Sequence, residues 1–264
     1  MVHVSENIII KILVHEKYIK SIIKYIKMIS ILMPIYNGIE FIEESVTSII
    51  QQTYTEWELI IGINGHPANS DVYQKAKEYE TTSKKIHVYD FPELKGKPVT
   101  LNEMVKKCKY NWISLLDVDD KWLPKKLESQ IEFLNNYDVI GTQCKYFGNL
   151  NLTPKIPLND ISKFNFLNVN PIINSSVIIK KELCFWDSKF DGVEDYDLWL
   201  KLWKQNKKFY YSKLFKSEFI KSLPKLWLEF LIISALISLI LILIIKNEFQ
   251  LNQQGYRHAY PKGR

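Results

Sequence analysis

From residue 29 onward the chain repeats one pattern, a short apolar run, a turn, and then a helical stretch with a single apolar face. Ile29–Tyr36 is an apolar run that ends at Asn37-Gly38, a strong turn signal. Residues 39–52 then place Ile42, Val46, Ile49 and Ile50 at helical spacing. Trp57–Ile63 predicts a second buried strand, broken by Asn64-Gly65, and residues 71–80 a second helix. Ile86–Asp90 and Trp112–Leu116 predict two more strands, with a helix over 98–108 between them and another from Pro124 through Leu134. Alternating strands and helices specify an α/β domain, a mostly parallel sheet with helices on both faces. Ligands of such sheets bind at the carboxyl ends of the strands, so the residues that follow each strand are the candidates.

Composition narrows the class. Hydrophobic residues at 47% and charged residues at 24% suit a globular chain and exclude disorder throughout. The 264 residues accommodate one domain of this type with attachments. Cys108, Cys144 and Cys184 are odd in number and far apart, which argues against a disulfide framework or a zinc site and for a reducing compartment. The net charge of +6 is unevenly spread: residues 29–200 carry 18 Lys against 24 Asp and Glu, whereas residues 201–225 carry eight Lys against one Glu. A nucleic-acid binder places its basic patch on the folded body, so that class is set aside. A basic collar beside an anionic lipid surface fits better.

Residues 226–245 form the longest apolar run, with Glu229 its one charge, in the first turn. Twenty residues at helical rise span roughly 30 Å, the thickness of a hydrocarbon core, so the reading is a single-pass transmembrane helix and a tail over 246–264. A buried helix of a soluble core is the alternative, but it rarely runs so long without a polar face. The lysines of the 212–225 linker precede the run, which puts the body of the protein in the cytosol. Residues 1–28 alternate isoleucine and lysine near helical spacing. They read as a basic amphipathic extension, on a membrane or packed on the domain, or as an extension upstream of an older start at Met28.

Two acidic clusters follow this framework. Asp117, Asp119 and Asp120 crowd the end of the fourth strand. Carboxylates this close resist ionising together unless a cation compensates. Oxygen donors without His or Cys suit Mg²⁺ or Mn²⁺, with substrate phosphates completing the coordination. Acids entering a helix are the plainer explanation, and one capping Asp would fit it better than three. The second cluster, Asp191, Glu194, Asp195 and Asp197, precedes the apolar helical stretch Leu198–Trp203, and taken alone reads as acids favouring a helix N-terminus.

Ile29–Asn37, Gln51–Ile61, Leu94–Lys97, Leu101-Asn102 and Leu115–Trp122, in this order, resemble the family 2 glycosyltransferases, over about residues 29–211. The resemblance implies the GT-A fold, a nucleotide-sugar donor (a UDP-sugar foremost), a divalent cation (Mn²⁺ or Mg²⁺) and a glycan or lipid-linked acceptor. Carried onto this chain, it implies that Pro34, Tyr36, Asn37, Asn64, Lys97, Asn102 and Asp117 bind the donor. Asp119, with Asp117 and Asp120, would hold the metal. Asp195 would be the catalytic base of an inverting transfer, with Glu194 as the fallback. Trp186 and Tyr196 are candidates to stack on sugar faces, while Trp199 and Trp203, at helical spacing, read as core.

Two departures stand out. Where many members carry Asp after the second strand, this chain has Ile63 and Asn64, and no Arg/His segment follows Tyr211 before the apolar run. They motivate the alternative of a catalytically degenerate, membrane-associated nucleotide- or glycan-binding domain. A nucleotidyltransferase on a similar sheet would want a Gly-rich basic loop after the first strand, which Tyr36-Asn37-Gly38 is not.

Overall fold

The computed structural model describes residues 27–148 and 152–221. The N-terminal extension, save its last two residues, and the 226–245 run lie outside the described residues. Among the described residues no helix is long and apolar enough to cross a membrane.

The strands are β1 (Ile29–Ile35), β2 (Trp57–Asn64), β3 (Ile86–Phe91), β4 (Trp112–Leu115), β5 (Asp120–Lys121), β6 (Val139–Gly148), β7 (Asn159–Asp160), β8 (Ile178–Lys180) and β9 (Phe209–Lys221). Among the described residues four α-helices accompany them, α1 (Ile42–Ile50), α2 (Asp71–Lys77), α3 (Lys97–Lys107) and α4 (Glu194–Lys204). All strands join one sheet in the order β3-β2-β1-β4-β8-β6-β9-β5, with β7 on β9. The first four pair in parallel. The rest of the sheet is mixed: β6 pairs with β9 in parallel, so most paired residues are parallel as expected, whereas β8 runs antiparallel to both β4 and β6, and β5 and β7 run antiparallel to β9. The β8 reversal needs no crossover helix: the chain returns from β6 through the loop that ends at the 3-10 turn Asn174–Ser176.

Burial follows the period of two. Ile29, Ile31 and Met33 of β1 and Leu59, Ile61 and Ile63 of β2 enter one core, under Ile42, Val46 and Ile49 of α1 and Ala76 of α2. Leu32 and Ile60 point the other way, into a second core with Leu101 and Met104 of α3 and with Leu198, Trp199 and Leu202 of α4. Each fully buried aliphatic side chain contributes roughly 1.5–3 kcal/mol relative to exposure. That holds the sheet as a rigid floor for the loops at its carboxyl edge.

The helix expected from Pro124 through Leu134 is replaced by successive turns and a 3-10 turn at Ile131–Phe133. Its backbone bonds mix three- and four-residue spans, Lys126 N to Leu123 O and Ser129 N to Lys125 O. Two fully buried polar side chains pull the segment inward: Lys126 Nζ donates to Ser114 Oγ, and Gln130 Nε2 donates to the carbonyls of Ile140 and Ser176.

Candidate functional site

The carboxyl ends of β1, β2 and β4 open on a cleft of about 790 Å³. Of the residues expected at a donor or metal site, Pro34, Tyr36, Asn37, Asn64, Lys97, Asp117 and Asp119 line it, together with Lys95, Gly96 and Asp191. β1 and β2 are adjacent and in register, Ile35 beside Ile63, so the turns that leave them meet. The Tyr36 ring lies on Gly65, where an added Cβ would come within 2.7 Å of the ring and where φ is +71°. Only glycine fits that position without strain. The His66 ring flanks Tyr36 at 5.5 Å between centroids, and Asn64 is buried beneath.

The acidic cluster after β4 divides. Asp117 and Asp119 face the cleft, whereas Asp120 is buried in β5 and its carbonyl accepts from Ser45 Oγ of α1. Its carboxylate lies on the side of Cys144 and Tyr146, where its charge adds to burial in raising their pKa values. Asp117 is held from three directions. Its N–H donates to Ser175 Oγ at 3.1 Å, Asn174 Nδ2 donates to its carboxylate at 3.4 Å, and Lys97 Nζ pairs with its Oδ1 at 2.6 Å.

The second cluster opens α4. Asp197 turns away to pair with Lys201 at 2.6 Å. Glu194 is buried, accepts the Gly192 N–H at 2.8 Å and stands 3.6 Å from Lys97 Nζ. Asp195 is half-buried; its Oδ1 accepts the Tyr196 N–H at 2.7 Å and its Oδ2 accepts Asn170 Nδ2 at 3.4 Å. Burial, and then the Glu194 charge, push the Asp195 carboxyl up to about 6, while Lys97 and the Tyr196 N–H pull it back. Burial works against the Lys97 ammonium, but Asp117, Glu194 and Asp195 outweigh it and hold that group protonated above the ordinary lysine range.

Lys97 therefore joins the two acidic clusters. It opens α3 directly after Gly96, whose φ of +95° turns the backbone so that Asp191 Oδ2 would lie 2.6 Å from an added Cβ. The Lys97 N–H donates to Asp191 Oδ1 at 3.4 Å, closing the loop beneath the side chain. A cation between a strand-end carboxylate and a half-buried one of raised pKa can stabilise a developing anion while the latter takes a proton.

Asn102 lies elsewhere. Its amide donates to Trp186 O at 2.7 Å and its Oδ1 accepts Trp186 N–H at 3.0 Å, tying α3 to the chain before α4. Trp186 and Tyr196, the candidates for sugar stacking, are instead buried, with exposures of 1% and 5%. The Tyr196 hydroxyl donates to Phe166 O, and Trp199 is core as expected. Sequence reasoning missed Asn170, Asn174 and Ser175. The Asn-rich stretch 165–174 was the available signal, but nothing local names its partners.

Oxygen donors alone face the cleft from the acidic side. Among the described residues no three His, Cys, Asp or Glu side chains converge to hold a metal by themselves. That donor set fits Mg²⁺ or Mn²⁺, which take one or two protein carboxylates and complete their shell with water and phosphate.

The sequence profile of glycosyl transferase family 2 matches residues 30–181. The O-antigen biosynthesis glycosyltransferase WbnJ of Escherichia coli is 29% identical over 192 residues, 68% of this chain and 73% of that protein. The UDP-Glc:alpha-D-GlcNAc-diphosphoundecaprenol beta-1,3-glucosyltransferase WfgD of Escherichia coli is 28% identical over 183 residues, 68% of this chain and 71% of that one. S. aureus TarS in complex with UDP superposes with a TM-score of 0.60 at 15% identity, over 72% of this chain and 60% of that one. The mannosyltransferase PcManGT from Pyrobaculum calidifontis, in complex with GDP-Man and Mn²⁺, gives 0.57 at 16% identity, over 75% of this chain and 57% of that one. The two structural likenesses speak to the fold, the mixed α/β sheet of GT-A glycosyltransferases.

Proposed function

This chain belongs to glycosyl transferase family 2, and on that premise we propose that it transfers a sugar from a nucleoside-diphosphate donor to an acceptor hydroxyl with inversion. The observation that carries the proposal is the Lys97 bridge: from the lining of the cleft its ammonium pairs with Asp117 and reaches Glu194, while Asp195, set back from the cleft lining, adds its charge to the same cation. In the proposed reaction Asp195 accepts the acceptor's hydroxyl proton as that oxygen attacks the anomeric carbon. The bond to the diphosphate breaks with its electron pair on the leaving oxygen, so a single displacement inverts the centre. Lys97 faces the negative charge that develops there. Asp119 and Asp117 would hold Mn²⁺ or Mg²⁺, which supplies Lewis-acid stabilisation of the leaving diphosphate.

A UDP-sugar is the preferred donor, since WfgD is named for UDP-Glc and TarS binds UDP, although PcManGT carries GDP-Man. Tyr36 and Asn37 offer a ring face and an amide at the mouth of the nucleotide end. A glycan or lipid-linked acceptor suits WfgD's diphosphoundecaprenol substrate and the apolar run 226–245, which we assign to the membrane with the catalytic domain cytosolic. Alkaline carbonate extraction tests the anchor; release of the full chain from membranes would refute it.

The deciding experiment is release of nucleoside diphosphate by the full chain in detergent, from UDP-glucose, UDP-GlcNAc and GDP-mannose, with Mn²⁺, Mg²⁺ or EDTA. Metal-dependent turnover lost in Asp119→Ala and Asp195→Asn supports the reading. Donor binding without turnover, even with a lipid-diphosphate acceptor present, would favour the degenerate binding domain that Asn64 motivates.

A further inference from the structure

The stretch from Phe166 to Ser176 is tied at both ends to the acidic clusters. At its start Phe166 O accepts the hydroxyl of Tyr196, the neighbour of Asp195, at 2.6 Å. At its end Ser175 Oγ accepts the Asp117 N–H at 3.1 Å, while Ser175 O accepts Trp122 Nε1 at 2.7 Å. Between these ties stand Asn170 and Asn174, each with its amide toward one acid: Asn174 Nδ2 faces Asp117 and Asn170 Nδ2 faces Asp195.

The orientation of the Asn170 amide is determined by its surroundings. Pro171 confines the preceding backbone to extended conformations. Asn170 Oδ1 accepts the Ile172 N–H at 3.0 Å, an Asx turn across the proline. Flipping the amide would set an NH₂ against an N–H, so Nδ2 is the end that must point away from the turn, toward Asp195 Oδ2. With the Tyr196 N–H on Oδ1, each oxygen of the carboxylate has one donor. Rotation about its Cβ–Cγ bond would lose both.

We propose that Asn170 is a positioning residue for Asp195, whose amide fixes the plane of the carboxylate and favours its ionised form at neutral pH. This rests on the assignment of Asp195 as the base. The charged groups around Asp195 are Glu194 on its own helix, Lys97 at the start of α3 and Asp117 after β4; the first and last oppose ionisation and Lys97 favours it. Asn170 brings a donor without a charge, from a fourth direction. It offsets part of the burial without cancelling the raised proton affinity that a base requires.

The test separates donation from loop shape. Asn170→Ala removes both the donor and the Asx turn. Asn170→Asp keeps an oxygen for the Ile172 N–H but replaces the donor with a like charge. The full chain, carrying ¹³C-carboxyl aspartate, is titrated in detergent, and the Asp195 resonance is identified by its loss in Asp195→Asn. The midpoint is expected to rise by about 0.5–1 pH unit in Asn170→Ala and by more in Asn170→Asp. The acid limb of kcat is expected to move with it. An Asn170→Asp midpoint within about 0.2 unit of wild type, or below it, overturns the proposal and leaves Asn170 a loop-shaping residue, the shift being far under that of a lost charge-assisted bond. Persistent turnover in Asp195→Asn would instead sink the base assignment, whatever the midpoints do.

Discussion

Lys97 Nζ lies 2.6 Å from Asp117 Oδ1 and 3.6 Å from Glu194 Oε1, so one ammonium group links the end of β4 to the first turn of α4. Asp117 follows a strand and Glu194 opens a helix, and each carboxylate would repel the other without the cation between them. The same group faces the cleft, where a departing diphosphate would compete for it.

Replacing that cation should therefore impair chemistry more than folding. Lys97→Met is expected to lower kcat/KM for nucleoside diphosphate release by about 100-fold, the scale of losing one preorganised electrostatic contact. Lys97→Arg should retain part of the rate. Equal losses in the two variants would mean that the ammonium's shape, and not its charge, is what matters.

Asp195 gives the pH profile its sign. As the proposed base it must be ionised, so turnover should fall about tenfold per pH unit below a midpoint near 6. Its folded pKa lies above the ordinary 3.8, so the folded state binds this proton more tightly than the unfolded one. Stability from this group is present below pH 3.8 and is lost as pH rises through about 6. Asp195→Asn should accordingly be inactive yet raise Tm at pH 7.5, by about 2–4 °C. The gap between the two thermal scans should close toward pH 4.

Lys126 extends the same reasoning to the interior. It is fully buried, donates to Ser114 Oγ at 2.7 Å and lies 3.8 Å from the centre of the Trp122 ring. Burial drives its pKa well below the ordinary lysine value, and the ring face is weak compensation. Lys126→Met is expected to stabilise the protein by about 1–3 kcal/mol near neutral pH. Wild-type stability should climb toward that of the variant as pH rises to the ordinary lysine pKa, because the unfolded chain then also binds no proton there. Denaturant melts from pH 7 to 10 provide the comparison.

Asn102 distinguishes a donor contact from a tether. Its two bonds to the Trp186 backbone predict that Asn102→Ala lowers stability by about 1–3 kcal/mol. The KM for donor should hardly change. A several-fold rise in KM at unchanged stability would return Asn102 to the donor site.

The β1–β4 framework was legible because each strand is an apolar run closed by its own turn signal, as in Ile29–Asn37 and Trp57–Gly65. Asp117, Asp119 and Asp195 stood out for a similar reason, charge placed next to an apolar element. The β8 reversal was not legible, since Ile178–Lys180 is only three residues long and its direction is set by partners far away in sequence. The segment 124–134 has helical periodicity, yet Lys126 and Gln130 answer distant backbone and hydroxyl groups instead. Asn170 and Asn174 escaped because an amide in a loop declares no partner. Asn102 was legible by pattern, but its partner, a backbone segment 84 residues away, was not.

The antiparallel seam between β4 and β8 also bears on how the chain matures. Asp117 closes the β1–β4 framework, whereas Glu194, Asp195 and the Asn170 loop lie in the part of the chain that follows. Pairing of Ile113 with Ile179 draws the two parts together. A nascent chain that has emerged only through β4 thus carries one carboxylate cluster without the other, so on the proposed mechanism it has no means to spend an activated sugar.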